Sequence, residues 1–578
     1  MALNFSQLRT ASTQTVRALS LIVTILLVFI VIARYTFGFP LLLEGFFQII
    51  CSELNYYKQE RRYKRVQHQE DLGEKGVARA DCVATVIGYR EDPCLFRKCL
   101  ESYRNDSTRT IRALVVGIDG NEPEDMQMVE LAESVCGATN VSVIELDEPF
   151  GAIAARMIDD WKVQRSDGDK LDEDEFLEHV FGVLVRRAAA VLQDFKLLDN
   201  LGTGDLAKAI CITQPHVSKK DIMFTSFLFT LAIARAQDIP FIWSSDSDSY
   251  LDPTAAPVHR VLTTMAADPA IAGSCGALQI HNAAQSTITR LVSATYWTDL
   301  ALTSGQNSAF DVTDCQPGPC AAFTTNALSD ILLPWYTQTF LGVRPIVNED
   351  RHLSTLLLSR GYRVTFHPAA TVMTDAPSTF ATWIVQQVRW SRAIVLETIA
   401  HPRVLTSRNP MFALYALRRI AGPYLQAWIV IRYLRSGAGT TVTSPADITA
   451  RMLLCSIYTA TRRGAGWRRW PWLCASQVFL QFPQPPIVFW ASATFLDGTW
   501  GNEAQKDNAV KEESALKTLL QALINTWAPF ICVSVWVGMV AAVVCKFSAS
   551  IALVGSESVC AATGGIVFSI GMLYVISK

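Results

Sequence analysis

The sequence carries little charge, and the charge it has is balanced between the two signs. Only 18% of its 578 residues are Asp, Glu, Lys or Arg, whereas roughly 25% is usual in soluble domains. The formal net charge is -2, so the basic excess that marks nucleic-acid-binding chains is missing. The composition therefore argues against a nucleic acid as the partner of this chain.

Cysteine pairs and sequence repeats are also lacking. The 14 cysteines form no C-x-x-C pair and no zinc-finger spacing, and a chain of this length buries a core without disulfide bonds. We therefore expect reduced, structural cysteines. No internal repeat or low-complexity tract is present, so a repeat architecture is not expected.

Apolar residues, by contrast, make up 50% of the chain, and the mean hydropathy is +0.22. Residues 18–33 form a continuous apolar run without a cleavage site after it, which indicates a retained membrane anchor. The next apolar stretch, residues 37–51, contains Pro40 and Glu44 and is either a short return span or an interfacial helix. Basic residues at 61–65 place the following part in the cytoplasm. We assign residues 1–55 to an N-terminal anchor of one or two spans.

Residues 80–400 have the composition of an α/β domain. Short β-branched runs alternate with helical patterns such as residues 221–236, and the runs lie at residues 83–87, 113–118, 141–146, 210–213 and 241–243. This alternation predicts a mostly parallel sheet covered on both faces. We expect one cytoplasmic domain that ends in an amphipathic interface helix.

Residues 401–578 are apolar again, in five pieces at 411–434, 448–461, 472–496, 520–545 and 551–576. The third piece contains three prolines as well as Gln477, Gln481 and Gln484, and we assign it to the membrane interface. The other four fit two hairpins of transmembrane helices. A charged loop at 497–517 separates them. The predicted architecture is thus an α/β domain combined with an α-helical transmembrane region.

Asp246 and Asp248 directly follow the apolar run at 239–243. They are therefore expected at the C-terminal edge of the sheet, where parallel α/β sheets bind ligands. Two carboxylates at this spacing can hold Mg²⁺ or Mn²⁺ against a diphosphate, and the lack of a His or Cys ligand nearby argues against zinc. An acidic surface turn is the alternative, and for an isolated triplet it is the more frequent one.

Other strand ends carry polar residues that a nucleotide could use. Tyr89 and Glu91 follow the predicted strand at 83–87, and Asp119 directly follows the predicted strand at 113–118. Lys219 begins the predicted helix that precedes the strand at 241–243. Such residues can stack on a base, accept its hydrogen bonds and balance phosphate charge. Each also fits an ordinary turn, a helix cap or a solvated lysine pair.

Two further motifs lie toward the end of the domain. Glu349 and Asp350 head a helix, where acids are favoured by the helix dipole whatever their function. Gln386, Arg389 and Trp390 share one helix face by their i, i+3, i+4 spacing. They could hold a diphosphate and a sugar plane, although the tryptophan could equally be an interfacial anchor.

Taken in order, these motifs resemble those of one family. The strings that carry the resemblance are IGYREDPCLFRKCLES, VVGIDGN, KKDIMFTSF, SSDSDSYLDP, GPCAAF, NEDRHLSTLLLSRGYRVTF, QQVRWSR and TWGN. They are similar to motifs of the hyaluronan synthases and of the related chitin and cellulose synthases of inverting glycosyltransferase family 2. The resemblance covers residues 80–400, and the membrane segments by layout, and it implies a GT-A type domain.

The resemblance implies a role for each motif on the donor side. Tyr89, Glu91 and Asp119 would bind the uridine, and Lys219 the diphosphate. Asp246 would bind the nucleotide and, with Asp248, its Mg²⁺ or Mn²⁺.

On the acceptor side it implies that Asp350 is the general base. Gln386, Arg389 and Trp390 would line the acceptor and diphosphate site, and Trp500 would lie on a loop over the nucleotide. The chain departs from the family at the loop motif, where Asn502 replaces Thr.

We therefore expect a multi-pass plasma-membrane enzyme with a cytoplasmic catalytic domain. It would use a UDP-sugar to extend, and export, a growing β-linked polysaccharide, with the lipid bilayer as a further partner. The alternatives are a non-processive transferase that makes an oligosaccharide or glycolipid, and a non-catalytic scaffold for another synthase.

Overall fold

The structure is a computed structural model that describes residues 41–72, 80–164, 173–198, 208–407, 410–437, 445–497 and 527–552. The predicted anchor at 18–33, Trp500, Asn502 and nearly all of the last apolar piece lie outside the described residues.

A nine-stranded sheet forms the centre of the described domain. Its strands are β1 (Cys82–Gly88), β2 (Ile111–Asp119), β3 (Val141–Glu145), β4 (Lys208–Gln214), β5 (Phe241–Asp246), β6 (Tyr250–Leu251), β7 (Ile271–Ile280), β8 (Ala321–Thr324) and β9 (Arg363–Thr374). Their order across the sheet is β3-β4-β2-β1-β5-β8-β7-β9-β6. The five strand runs predicted from the sequence are β1 to β5, which confirms the α/β interpretation.

The sheet has two halves that differ in strand direction. In β3-β4-β2-β1-β5 every neighbouring pair is parallel. The register pairs Asp119 with Gln214 and Ile87 with Asp246, so the carboxyl ends of these strands align at one edge. Beyond β5 the sheet is mixed, because β8 runs antiparallel to β5 and β7. Parallel order with both faces covered is what the unbroken apolar runs predict.

Helices cover both faces of the sheet. They are α2 (Pro93–Arg104), α3 (Pro123–Cys136), α4 (Phe150–Gln164), α5 (Glu173–Asp194), α6 (Lys219–Ala236), α7 (Pro257–Ala266), α8 (Thr287–Thr295), α9 (Ala301–Ala309), α10 (Thr325–Tyr336), α11 (Glu349–Ser359) and α12 (Phe380–Ala400). One core cluster joins α4, α5, α6 and α10 to one face, and a second joins α2, α3 and α7 to the other. Helix α6 is buried along almost its whole length, which holds its first residue, Lys219, at the ligand-binding edge.

The chain before the domain forms one long helix, α1 (Leu41–Asp71). It contains residues 41–51 of the apolar stretch and the basic cluster that follows, so the predicted boundary at residue 55 falls inside the helix. Lys58 pairs with Asp311 at 2.7 Å and Arg62 with Asp268 at 2.6 Å. Part of the basic cluster therefore packs the helix against the α/β domain.

After the domain come α13 (Pro402–Ser407), α14 (Pro410–Ser436), α15 (Pro445–Arg462), α16 (Trp470–Gln481), α17 (Gln484–Ala493) and α18 (Ala528–Ala552). The predicted interfacial piece is thus two short helices. Within the described ranges, no helix combines the length and the apolar character that crossing a membrane requires. In α14 the apolar pattern is interrupted by Arg418 and Arg419.

Candidate active site

One cavity of about 1310 Å³ runs from the ends of the parallel strands to the C-terminal helices. Every predicted site residue in the described ranges lines it. These residues are Tyr89, Glu91, Asp119, Lys219, Asp246, Asp248, Asp350, Gln386, Arg389 and Trp390. Trp500 lies outside the described residues. The fold therefore brings together side chains that are spread over 300 positions of the sequence.

At one end of the cavity, Asp119 is held by a residue that sequence reasoning missed. His216 Nδ1 lies 2.8 Å from Asp119 Oδ2, and the amide of Val217 donates to Asp119 Oδ1 at 3.3 Å. The His216 ring stacks on Tyr89 with ring centroids 4.1 Å apart and an angle of 7°. Burial raises the pKa of Asp119, against the opposing effect of His216. The only sequence signal for His216 was its place just after a strand.

The acidic pair lies in the turn that ends β5. Asp246 is the last residue of the strand, and the hydroxyl of Ser247 donates to Glu91 Oε2 at 3.2 Å. Burial, together with the nearby charges of Asp246 and Glu91, raises the pKa of Asp248 to about 7. Gly318 approaches this turn so closely that a Cβ there would lie 2.6 Å from Asp246 Oδ2. The carboxylates of Glu91, Asp246 and Asp248 thus lie close together at one site.

This donor set fits a hard divalent cation. Carboxylate oxygens are the ligands that Mg²⁺ and Mn²⁺ prefer, and a cation there would relieve the repulsion that raises the Asp248 pKa. One cysteine is closer than expected, since Cys99 Sγ lies 3.8 Å from the backbone oxygen of Asp246. Burial raises the pKa of Cys99 well above its ordinary value, so it remains a thiol and not a thiolate ligand.

Lys219 connects two acidic groups across the cavity. Its Nζ lies 2.8 Å from Asp246 Oδ1 and 3.4 Å from Glu349 Oε1. Burial disfavours the charged lysine, but these two carboxylates outweigh it and raise its pKa. Glu349 is 4% exposed, and burial raises its pKa although Lys219 opposes this. Glu349 is therefore an ion-pair partner of Lys219 and not simply a helix-capping residue.

The neighbouring acid, Asp350, makes different contacts. Its Oδ1 accepts the amide hydrogen of Arg351 at 2.7 Å, and the thiol of Cys315 donates to its Oδ2 at 3.4 Å. Successive residues of a helix point about 100° apart. Glu349 and Asp350 accordingly serve separate parts of the cavity wall.

An ion-pair cluster lies next to Asp350. Arg351 contacts Asp314 Oδ2 at 2.5 Å, and Arg419 from α14 contacts the same oxygen. Burial alone would raise the pKa of Asp314, but the two arginines hold it well below its usual range. This cluster joins the catalytic-domain helix α11 to the C-terminal helix α14.

The i, i+3, i+4 face of α12 points into the cavity. Gln386, Arg389 and Trp390 all line it, and the charge of Arg389 acts on both Lys219 and Glu349. The buried Gln386 Oε1 has no hydrogen-bond partner among the described residues. A buried polar atom without a partner is costly, so this oxygen is suited to a ligand's hydroxyl group.

Comparisons with known proteins show what this chain is similar to. A family model described as glycosyltransferase like family 2 matches residues 81–393. Human hyaluronan synthase 3 is 28% identical over 352 residues, which is 60% of this chain and 56% of the relative. Human hyaluronan synthase 2 is 27% identical over 372 residues, which is 64% of this chain and 59% of the relative. The matched region thus spans little more than half the length of these relatives.

Among solved structures, a mannosyltransferase (PcManGT) from Pyrobaculum calidifontis, in complex with GDP-Man and Mn2+, aligns with 75% of this chain and 97% of its own. The TM-score is 0.35 and the sequence identity 12%. This similarity is too weak to bear on the site.

Proposed function

The chain belongs to the glycosyltransferase-like family 2, whose model covers more than half of it, and on that premise we propose that it is a membrane-embedded inverting β-glycosyltransferase. It uses a UDP-sugar to extend, and export, a polysaccharide. The similarity to hyaluronan synthases supports this substrate class. The observation that carries the proposal is the single cavity, in which an acidic pair, a lysine and a separate carboxylate face a path toward the C-terminal helices.

The nucleotide binds along the ends of the parallel strands. The Tyr89 and His216 rings offer an aromatic surface for the uracil, and Asp119 accepts hydrogen bonds from it. Asp246 and Asp248 would hold the divalent cation, which, when bound, supplies positive charge next to the diphosphate. These residues hold the donor in a fixed position, and orientation alone removes a large part of a reaction barrier.

The leaving group is UDP, whose diphosphate gains negative charge as the bond to the anomeric carbon breaks. Lys219 and Arg389 line the same cavity and supply positive charge to it. Charges that are already in position when the reaction begins stabilise the transition state most effectively. The ion pairs of Lys219 with Asp246 and Glu349 keep its ammonium group in place.

The acceptor hydroxyl attacks from the opposite face of the sugar. Asp350 accepts its proton as the new bond forms, which is the role of a general base. Gln386 and Trp390 orient the acceptor sugar. A single displacement inverts the anomeric centre, so an α-linked UDP-sugar gives a β-linked product.

The product leaves along the far end of the cavity. Gln477, Gln481, Arg451 and Trp536 line that end, and polar and aromatic side chains of this kind suit a hydrated sugar chain. We place the protein in the plasma membrane with its catalytic domain in the cytoplasm, where UDP-sugars are made. The apolar run at 18–33 supports this placement.

Release of UDP from the purified full-length protein, with each UDP-sugar supplied in turn, tests the activity. We expect release of UDP with one or two of the UDP-sugars, and release slower by roughly 10²- to 10⁴-fold from the Asp350→Asn variant. Sizing of the product separates a polymer from the alternative oligosaccharide or glycolipid product. A protein that binds UDP-sugars but releases no UDP with any of them would instead be a scaffold.

The topology needs its own experiment. His179 is an exposed residue on α5, and a cysteine placed there can be labelled in a Cys94→Ser background, which removes an exposed native thiol. A membrane-impermeant reagent should label it only after the cells are permeabilised. Labelling in intact cells would contradict the cytoplasmic placement.

A further inference from the structure

A second cluster of side chains that can bind a metal lies on α11 and α12, the helices that carry Asp350 and Gln386. It consists of His352 on α11, Glu397 on α12 and His401, which caps the C-terminus of α12. One ligand atom of each residue lies within 4.8 Å of those of the other two. His352 and Glu397 are 1% and 5% exposed. From these contacts we propose that His352, Glu397 and His401 form a three-ligand site for a zinc ion, with water in the fourth position, that fastens α11 to α12.

The orientation of the side chains supports the site. His352 Nδ1 lies 3.1 Å from Glu397 Oε2, and the rings of His352 and His401 are 5.2 Å apart. The buried His401 Nε2 has no hydrogen-bond partner among the described residues. Ligands of a tetrahedral zinc lie about 3.3 Å apart, given metal–nitrogen bonds of about 2.0–2.1 Å. The cluster therefore has to close by at most about 1.5 Å, which side-chain rotation can supply.

Outer contacts hold the carboxylate in place. Gln338 Nε2 donates to Glu397 Oε1 at 3.2 Å, and the side-chain amide of Asn348 donates to the same oxygen. Glu397 Oε2 is thereby left to face the two histidines. Hydrogen-bonded carboxylates of this kind are typical of metal ligands. The buried Lys220, whose charge acts on His352, donates to the backbone oxygen of Pro345 and is not a member of the cluster.

The ligand set selects the class of metal. Two imidazoles and one carboxylate suit zinc and similar transition metals, whereas Mg²⁺ prefers oxygen ligands alone. This site is therefore chemically distinct from the acidic site at Asp246 and Asp248. The Glu397 and His401 spacing of four residues places both on one side of the helix end.

The position of the site indicates what the zinc does. His352 lies two residues after Asp350 on α11, and Glu397 lies about two turns after Trp390 on α12. A metal bound to both helices fixes the distance between the proposed base and the acceptor-binding face. Its role is therefore positional, and its binding can be measured without any turnover. The zinc site itself does not depend on the proposed function, whereas the positional role given to it rests on that function.

Metal content of the tag-free, full-length protein tests the site. After expression with added zinc and dialysis against a metal-free buffer, mass spectrometry of the elements should find one zinc per chain. His401→Gln should weaken zinc binding by more than the roughly 10- to 100-fold that a change outside the ligand shell costs. His179→Gln, which removes an exposed histidine of α5, is the matched control and should keep the zinc.

Two further variants test whether a loss of zinc comes from misfolding and whether the zinc is bound at the acidic site instead. His401→Cys restores a zinc ligand and should retain the metal, and its Co²⁺ form should show a sulfur-to-metal charge-transfer band that the parent lacks. Asp248→Asn should also keep the zinc. A parent protein that holds no zinc, or a folded His401→Gln protein that holds as much as the parent, would overturn the proposal.

Discussion

The two sides of the cavity, which we propose bind the donor and the acceptor, are built in different ways. The proposed donor side consists of residues at the ends of parallel strands or shortly after them, namely Tyr89, Glu91, Asp119, Lys219, Asp246 and Asp248, and His216 contacts two of them. The acceptor side consists of residues on helices and their connections, namely Asp314, Asp350, Gln386, Arg389, Trp390 and Arg419. Strand pairing sets the positions on the donor side, whereas ion pairs and helix packing set those on the acceptor side.

This difference predicts how each side responds to change. On the donor side a substitution removes one contact and leaves its neighbours in place, since the backbone register is unaffected. On the acceptor side a substitution can also shift a helix, because contacts such as that of Asp314 with Arg419 link distant segments. Variants of the two sides should therefore differ in whether binding, turnover or stability is lost.

The largest effect is expected from Asp350→Asn. Removing a positioned base costs roughly 10²- to 10⁴-fold in rate, while UDP-sugar binding, measured by calorimetry, should persist because the donor side is intact. The matched variant Glu349→Gln leaves Lys219 paired with Asp246. We expect it to keep activity within about tenfold, the equivalent of one hydrogen bond. The opposite pattern would move the base to Glu349.

Next in size is the loss of the cation site. Asp248→Asn should lower turnover by about 100-fold or more, because the charge that faces the diphosphate is lost. Chelation with EDTA should do the same, with recovery on adding Mg²⁺ or Mn²⁺. Ser247 lies between the two aspartates, and its hydroxyl contacts Glu91. The Ser247→Ala variant loses only this contact, so it should be nearly as active as the parent. Full activity in EDTA would contradict the assignment of a divalent cation site to Asp246 and Asp248.

On the acceptor side, Asp314→Asn should reduce stability as well as activity. It leaves the partly buried guanidinium groups of Arg351 and Arg419 without their carboxylate. The expected loss lies between the cost of about 1 kcal/mol for an exposed pair and that of about 3 kcal/mol for a buried one. The thermal unfolding midpoint of the detergent-solubilised protein measures this loss. Glu148→Gln breaks an exposed pair with Arg156 and should leave the midpoint unchanged. Equal midpoints for both variants would show that the cluster does not hold the helices together.

The smallest effect is expected from His216→Gln. The imidazole contact with Asp119 and the stack on Tyr89 are lost, and a single hydrogen bond contributes roughly 1 kcal/mol. The KM for the UDP-sugar should therefore rise by about fivefold, with little change in kcat. A fall in kcat at constant KM would place His216 in the chemical step and not in nucleotide binding.

Much of the proposed donor side could be predicted from the sequence, because Tyr89, Asp119, Asp246 and Asp248 end an apolar strand or closely follow one. Asp119 and Asp246 follow runs whose parallel pairing brings their ends to one edge, whatever the rest of the fold does. His216 was missed, since its role depends on the ring of Tyr89 on a strand that is not its sequence neighbour. The pairing of Glu349 with Lys219 was missed for the same reason.

On the proposed acceptor side, the sequence motifs predicted which residues take part but not which contacts they make. Their spacing predicts that Gln386, Arg389 and Trp390 share one helix face, and in the structure all three line the same cavity. Nothing in the spacing indicated that Asp314 joins Arg351 to Arg419, which lies 105 positions after Asp314. The roles assigned to all of these site residues, including Asp350 and Trp500, remain predictions.

The sequence by itself determined the strands of the parallel half, the polar residues at their ends and the helix faces, because these follow from local periodicity and backbone geometry. Only the tertiary structure decided that α1 packs on the domain through Lys58 and Arg62, that Lys219 joins Asp246 to Glu349, and that His352 meets His401. Contacts of this second kind depend on how whole elements pack against one another. Local periodicity carries no information about that packing.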